Sequence, residues 1–172
     1  MAVVSDANIL SSLAAADALS LLPQLFSNDD IFIPPAVERE LQAGLIRGVT
    51  YLERVFQAIQ SDQIRILNLV QVERDLVTTL PDKLHAGKRE GIALCQMRGF
   101  LFLSNDKRAV HYCRSKGIDV VNLEAFLRLL WLDRILTRGE IEALMKMMEE
   151  IENLTLTQEQ RNKIFAPRRR KS

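Results

Sequence analysis

The sequence predicts an α/β protein, a three-layer α/β/α sandwich around a central parallel sheet, with a helical C-terminal extension. Two observations predict it. Up to about Asn122, short β-type runs alternate with longer helical patterns, the order that yields parallel strands joined by crossover helices. Beyond Asn122 every patterned stretch is helical. The totals agree: 172 residues, 48% hydrophobic and 26% charged, suit one globular domain with a substantial core.

Candidate strands fall at 2–4, 31–33, 64–67, 100–103 and 119–121, some bounded by turn residues. Helical patterns fill 9–26 (broken near Asp17), 35–43, 48–60, 87–98 and 107–116. Pro34 and Pro35 suit the first turn of a helix that follows a strand. In the extension, 123–133 and 138–152 read as helices. Thr137 with Glu140 has the spacing of a capping box. Residues 157–165 form a last short helix, with Thr157 and Gln160 at the same spacing.

Composition excludes several classes. The formal net charge is +1, so the molecule is not a basic body that coats DNA, and any nucleic-acid contact is local. Cys95 and Cys113 lie in helical patterns without zinc spacing or a disulfide framework, which indicates a reducing compartment. No run approaches the roughly 18 apolar residues of a spanning helix. The apolar start has no basic leader region and is interrupted by Asp6 and Asp17. The expectation is a cytoplasmic protein without membrane contact.

The chemistry narrows to carboxylates at strand ends. His85 and His111 have no metal-ligand partner at a recognisable spacing, and no glycine-rich phosphate loop or serine nucleophile elbow occurs. Asp6, in "VVSDANIL", falls where the first strand hands over to a helix. Asp106, in "FLFLSNDKRAV", repeats that situation after the fourth strand. The carboxyl edge of an open parallel sheet is where such sheets bind ligands. Glu40, in "PPAVERELQAG", and Glu90, in "HAGKREGIALC", approach the edge from helices. Each acid also has a structural reading, Asp6 as a helix cap and the glutamates as solvated helix faces. Four converging carboxylates repel unless cations neutralise them. Oxygen ligands without imidazole or thiolate select magnesium or manganese, the constellation of metal-dependent phosphodiester hydrolysis.

These motifs, in order, resemble those of PIN-domain ribonucleases. "SDANIL" looks like the family's opening aspartate motif, and "PPAVERELQAG" resembles its E-L-x-x-G motif at Glu40. "LHAGKREGIALC" is similar to a motif of a VapC-like subfamily with its acid at Glu90, and "FLSNDKRAV" to the corner carrying Asp106. The resemblance covers Ala2 to about Trp131, which places a PIN-like nuclease domain at 1–136. Residues 137–172 are then an extension with a basic tail, "RRRKS" from Arg168, packed on the same domain.

The resemblance implies Asp6, Glu40, Glu90 and Asp106 as catalytic ligands of Mg2+ or Mn2+, with Asn8 and Ser104 orienting the carboxylates by hydrogen bonding. It implies an endoribonuclease, the toxin half of a toxin–antitoxin pair. RNA is the substrate, a cognate antitoxin the partner, and the expected assembly a homodimer. One departure matters. The subfamily commonly carries an acid where Lys88 stands. Lys88 and Arg89 then either grip substrate phosphate or oppose metal occupancy. The alternatives are a catalytically silent PIN-fold module that binds RNA or protein, a flap-like DNA nuclease, or another α/β sandwich whose acids are caps and face residues.

Overall fold

Successive strand residues face opposite sides of a sheet, and Val3 and Val4, both fully buried, enter two different cores. The computed structural model describes residues 1–168. Its sheet contains β1 (Val3–Ser5), β2 (Ile31–Ile33), β3 (Arg65–Ile66), β4 (Leu101–Leu103) and β5 (Val120–Val121), all parallel, in the order β3-β2-β1-β4-β5. The helices are α1 (Ala7–Ala15), α2 (Leu21–Leu25), α3 (Pro35–Ile46), α4 (Glu53–Gln60), α5 (Gln71–Thr79), α6 (Ala86–Arg98), α7 (Lys107–Ser115), α8 (Leu123–Leu132), α9 (Arg138–Glu152) and α10 (Gln158–Ile164). Val3, Ile31, Ile33, Leu101 and Leu103 pack against α1, α8 and α9. Val4 and Phe102 pack against α6 and α7. The result is the three-layer sandwich with a parallel sheet that the alternation predicts.

The break near Asp17 is real. Asp17 takes a φ of 52°, a left-handed conformation that ends α1. One helix was not legible in the sequence. α5 fully buries only Glu73, and its partly buried Leu76 and Val77 are too short an apolar pattern to stand out beside Gln71, Glu73, Arg74 and Asp75. The Glu73 carboxylate accepts from Arg98 Nε at 2.5 Å and Nη2 at 2.9 Å, and from the Val70 N–H at 2.8 Å. This buried fork ties the start of α5 to the end of α6.

The Arg98 guanidinium holds the Glu73 carboxyl below its ordinary value of 4.5, and burial only partly opposes it. A depressed folded pKa contributes stability that is complete above the unfolded value and lost as pH falls through the folded one. Glu73→Gln should therefore destabilise by about 2 kcal/mol at neutral pH, the scale of hydrogen bonds to a charged group. The difference from the parent should shrink below about pH 4.5. Chemical denaturation at several pH values measures both. A pH-independent difference would remove the ion pair as its cause.

The extension joins the first core. Ile141, Leu144, Met145, Met148, Leu156 and Ile164 are all buried there. Both capping boxes form, Thr137 with Glu140 and Thr157 with Gln160. At the far end of α9, Glu152 accepts from Ser11 Oγ and Ser12 Oγ at 2.6 Å each and from the Tyr51 hydroxyl at 3.0 Å. Arg168, the first residue of the basic tail, pairs with Asp133 at 2.7 Å. Residues 169–172 of that tail lie outside the described residues. Cys95 and Cys113 are buried free thiols, and burial pushes Cys113 up to about 12. Among the described residues, no helix is long and apolar enough to cross a membrane.

Candidate functional site

β1 pairs with β2 on one side and β4 on the other, which makes the carboxyl end of β1 a topological switch point. The register sets Ser5 opposite Leu103, so the next residues, Asp6 and Ser104, meet just beyond the strands. Asp6 is buried at 1% exposure. Its Oδ1 accepts from the Ile9 N–H at 3.0 Å, capping α1, and its Oδ2 accepts from the Ser104 hydroxyl at 2.6 Å. Ser104 Oγ in turn accepts from the Asp106 N–H at 3.3 Å. Asp106 Oδ1 caps α7 through the N–H groups of Arg108 and Ala109, each at 2.9 Å. Capping and siting are therefore not rival roles here. The caps lock the rotamers of both aspartates at the sheet edge.

Burial pushes the Asp6 carboxyl above its ordinary value of 3.8. The Ile9 and Ser104 bonds and the charge of Lys88 pull it down, and Glu40 pushes it up. Both charges therefore act on Asp6 through space, without a hydrogen bond or ion pair to it among the described residues. Glu40 reaches in from α3, and its Oε2 lies against Gly87 of α6, 3.1 Å from where a Cβ would stand. Lys88, only 3% exposed, comes from α6. Its ammonium makes no ion pair within 4.0 Å and no hydrogen bond among the described residues.

The sequence predicts four carboxylates in one cleft, and the structure gives each of them its own hydrogen-bond or charge partners. It brings Asp6 together with Glu40 and, through Ser104, with Asp106. Glu90 turns to a different task. Its Oε2 accepts from the Ala36 N–H at 2.8 Å, and its Oε1 lies 3.5 Å from Arg39 Nη2. The cause is the start of α3. The first N–H groups of a helix have no intrahelical partner, and Pro34 at the cap position offers no side-chain acceptor. Glu90 supplies one from α6. Asn8 is exposed on α1 and makes no side-chain hydrogen bond among the described residues, so nothing ties it to the carboxylates. Arg89 reaches towards Asp82, with 3.6 Å between Nη1 and Oδ1.

A divalent ion does not fit this donor set. Among the described residues, no three His, Cys, Asp or Glu side chains gather to hold a metal. Glu90 is occupied at the start of α3, and Lys88 of α6 already brings a positive charge to Asp6.

The sequence reading passed over α7. Lys107, Arg108, His111 and Arg114 are all exposed on it. Their spacing of three, four and seven was the available signal, since such residues share one side of a helix. A family model, DUF3368, described as a PIN domain, matches residues 2–155. None of the curated proteins matches the chain.

Proposed function

This chain belongs to the PIN-domain family, and we propose that within it the protein binds RNA at the carboxyl edge of its sheet without hydrolysing it. PIN domains are generally nucleases and usually use divalent metal ions. One observation carries the departure: Lys88 is a buried residue of α6 whose positive charge acts on the Asp6 carboxyl. Its charge offsets the repulsion of Asp6 by Glu40, as a metal would.

A second reading keeps the chemistry usual for the family. It is a magnesium- or manganese-dependent endoribonuclease, the toxin of a toxin–antitoxin pair whose antitoxin covers the site. The observation favouring it is the proximity of Asp6 and Glu40, with Asp106 tied to Asp6 through Ser104. One experiment separates the two. Labelled RNA is incubated with the protein in EDTA, magnesium or manganese and followed for both mobility shift and cleavage. The expected result is a shift of intact RNA that is similar in all three. Cleavage that requires either ion would establish the second reading and overturn the first.

A further inference from the structure

α7 turns its apolar residues inward, with Ala109, Val110 and Cys113 buried. The opposite face carries Lys107, Arg108, His111 and Arg114, all exposed. Packing does not require these charges, and the start of the helix is worse for two of them. Lys107 and Arg108 occupy its first two positions, and no acidic residue lies in the first turn. Cations there oppose the helix dipole, at about 0.3–1 kcal/mol each. Among the described residues, Lys83, Lys107, Arg108, Arg114 and Lys116 join no ion pair. Five uncompensated cations thus share one region of a chain whose net charge is +1.

Cavities flank this helix on both sides. One, of about 450 Å³, lies between α7 and the turn at Pro81, Lys83 and Leu84. Its lining includes Tyr112, whose ring also has Lys116 Nζ 5.8 Å from its centre. The other, of about 540 Å³, lies between α7 and residues 154–157 and is lined in part by Asn105, Asn122 and Gln160. Neither has an aspartate or glutamate in its lining. An apolar and aromatic floor beneath a cationic rim suits a nucleobase with its phosphate. The N-terminal end of α7 begins at Asp106, on the same sheet edge as Asp6.

We infer that α7 is the docking ridge for a single strand of RNA. Its phosphates run along Lys107, Arg108 and Arg114, and one base enters the cavity at Tyr112. Single strands are held in this way, by a cationic track with aromatic side chains for unstacked bases. The inference rests on the RNA-binding reading above and adds the surface and the strandedness.

The test uses the full chain, with fluorescence anisotropy of a labelled single-stranded RNA, the matching duplex, and labelled poly-glutamate over a range of salt. The combined variant Lys107→Glu, Arg108→Glu, Arg114→Glu should weaken single-strand binding on the order of 100-fold. It should also reduce the salt slope by about 2, from three lost phosphate contacts at roughly 0.7 each. Its melting temperature should change little, because Lys107→Glu and Arg108→Glu suit the helix dipole while Arg114→Glu, in the last turn, opposes it. Loss of binding is then separable from loss of fold. Tyr112→Leu should weaken binding roughly tenfold with the salt slope unchanged, since stacking carries no charge. Reversing Arg47, Arg134 and Lys146 instead should have a much smaller effect.

Several results would overturn the inference. If the parent binds RNA and the α7 variant binds it equally well, the ridge is elsewhere while the RNA-binding reading stands. Equal losses in the two triple variants would reduce the effect to overall charge. Preference for duplex would remove the single-strand assignment. Tighter binding of poly-glutamate than of RNA, lost in the α7 variant, would assign the face to an acidic protein. A parent that binds no RNA defeats both readings together.

Discussion

Lys88→Glu should turn a protein whose melting temperature ignores magnesium and manganese into one that either ion stabilises. The substitution removes the buried cation and adds a carboxylate whose charge joins that of Glu40 on Asp6. In EDTA the three acids repel in a site that already disfavours the charged form of Asp6. Destabilisation is expected, because like charges gathered in a desolvated site make one another harder to ionise. Hard oxygen donors then match a divalent ion. Ion at about 100 times its dissociation constant returns about 2.7 kcal/mol. At roughly 2–4 °C per kcal/mol for a chain of this size, the recovery is readily measured.

Thermal melts of parent and variant in EDTA and in each ion read this without reference to activity. Lys88→Met is the control, since it loses the cation without gaining a ligand. It should be destabilised and stay indifferent to metal. A parent already stabilised by manganese as much as the variant would show that Lys88 does not exclude the ion. The non-hydrolysing reading would then lose its main support.

Glu152→Ala should release the end of α9 and lower stability by roughly 3 kcal/mol, since hydrogen bonds to a charged group contribute about 1.5–3 kcal/mol each and do not add fully. One carboxylate joins three donors from two distant segments, Ser11 and Ser12 of α1 and Tyr51 in the turn before α4. Ser12 is 3% exposed, so its hydroxyl would be left buried without this acceptor. Denaturant unfolding measures the loss, and limited proteolysis should find a new cut between residues 153 and 157. The double variant Ser12→Ala, Glu152→Ala should recover part of the loss, because removing both partners strands neither. Strict additivity of the two single changes would mean that Ser12 and Glu152 are not coupled.

Local chemistry wrote much of this fold into the sequence. Period and turn residues placed β2 at 31–33 and α9 at 138–152 with their observed bounds. Thr137 and Thr157 announced their helices because a capping box is satisfied within four residues. The strand-to-helix corners at Asp6 and Asp106 were equally local, and parallel pairing of β1 with β4 follows once the sheet forms. α5 escaped because only Leu76 and Val77 turn to the core and its buried anchor is Arg98, 25 residues from Glu73.

Glu90 and Lys88 mark where the sequence stopped deciding. The sequence placed both at the site, Glu90 as a ligand and Lys88 as a cation that grips phosphate or opposes the metal. Which of them enters depends on α3, a neighbour 54 residues away whose Ala36 N–H lacked an acceptor. A capping bond to a distant helix is invisible to a motif, because a motif records residue types at fixed spacing and not the partner each side chain finds. Packing α6 against α3 drew Glu90 to that helix end and left the charge of Lys88 acting on Asp6. Tertiary structure alone decided that Glu90 serves the start of α3.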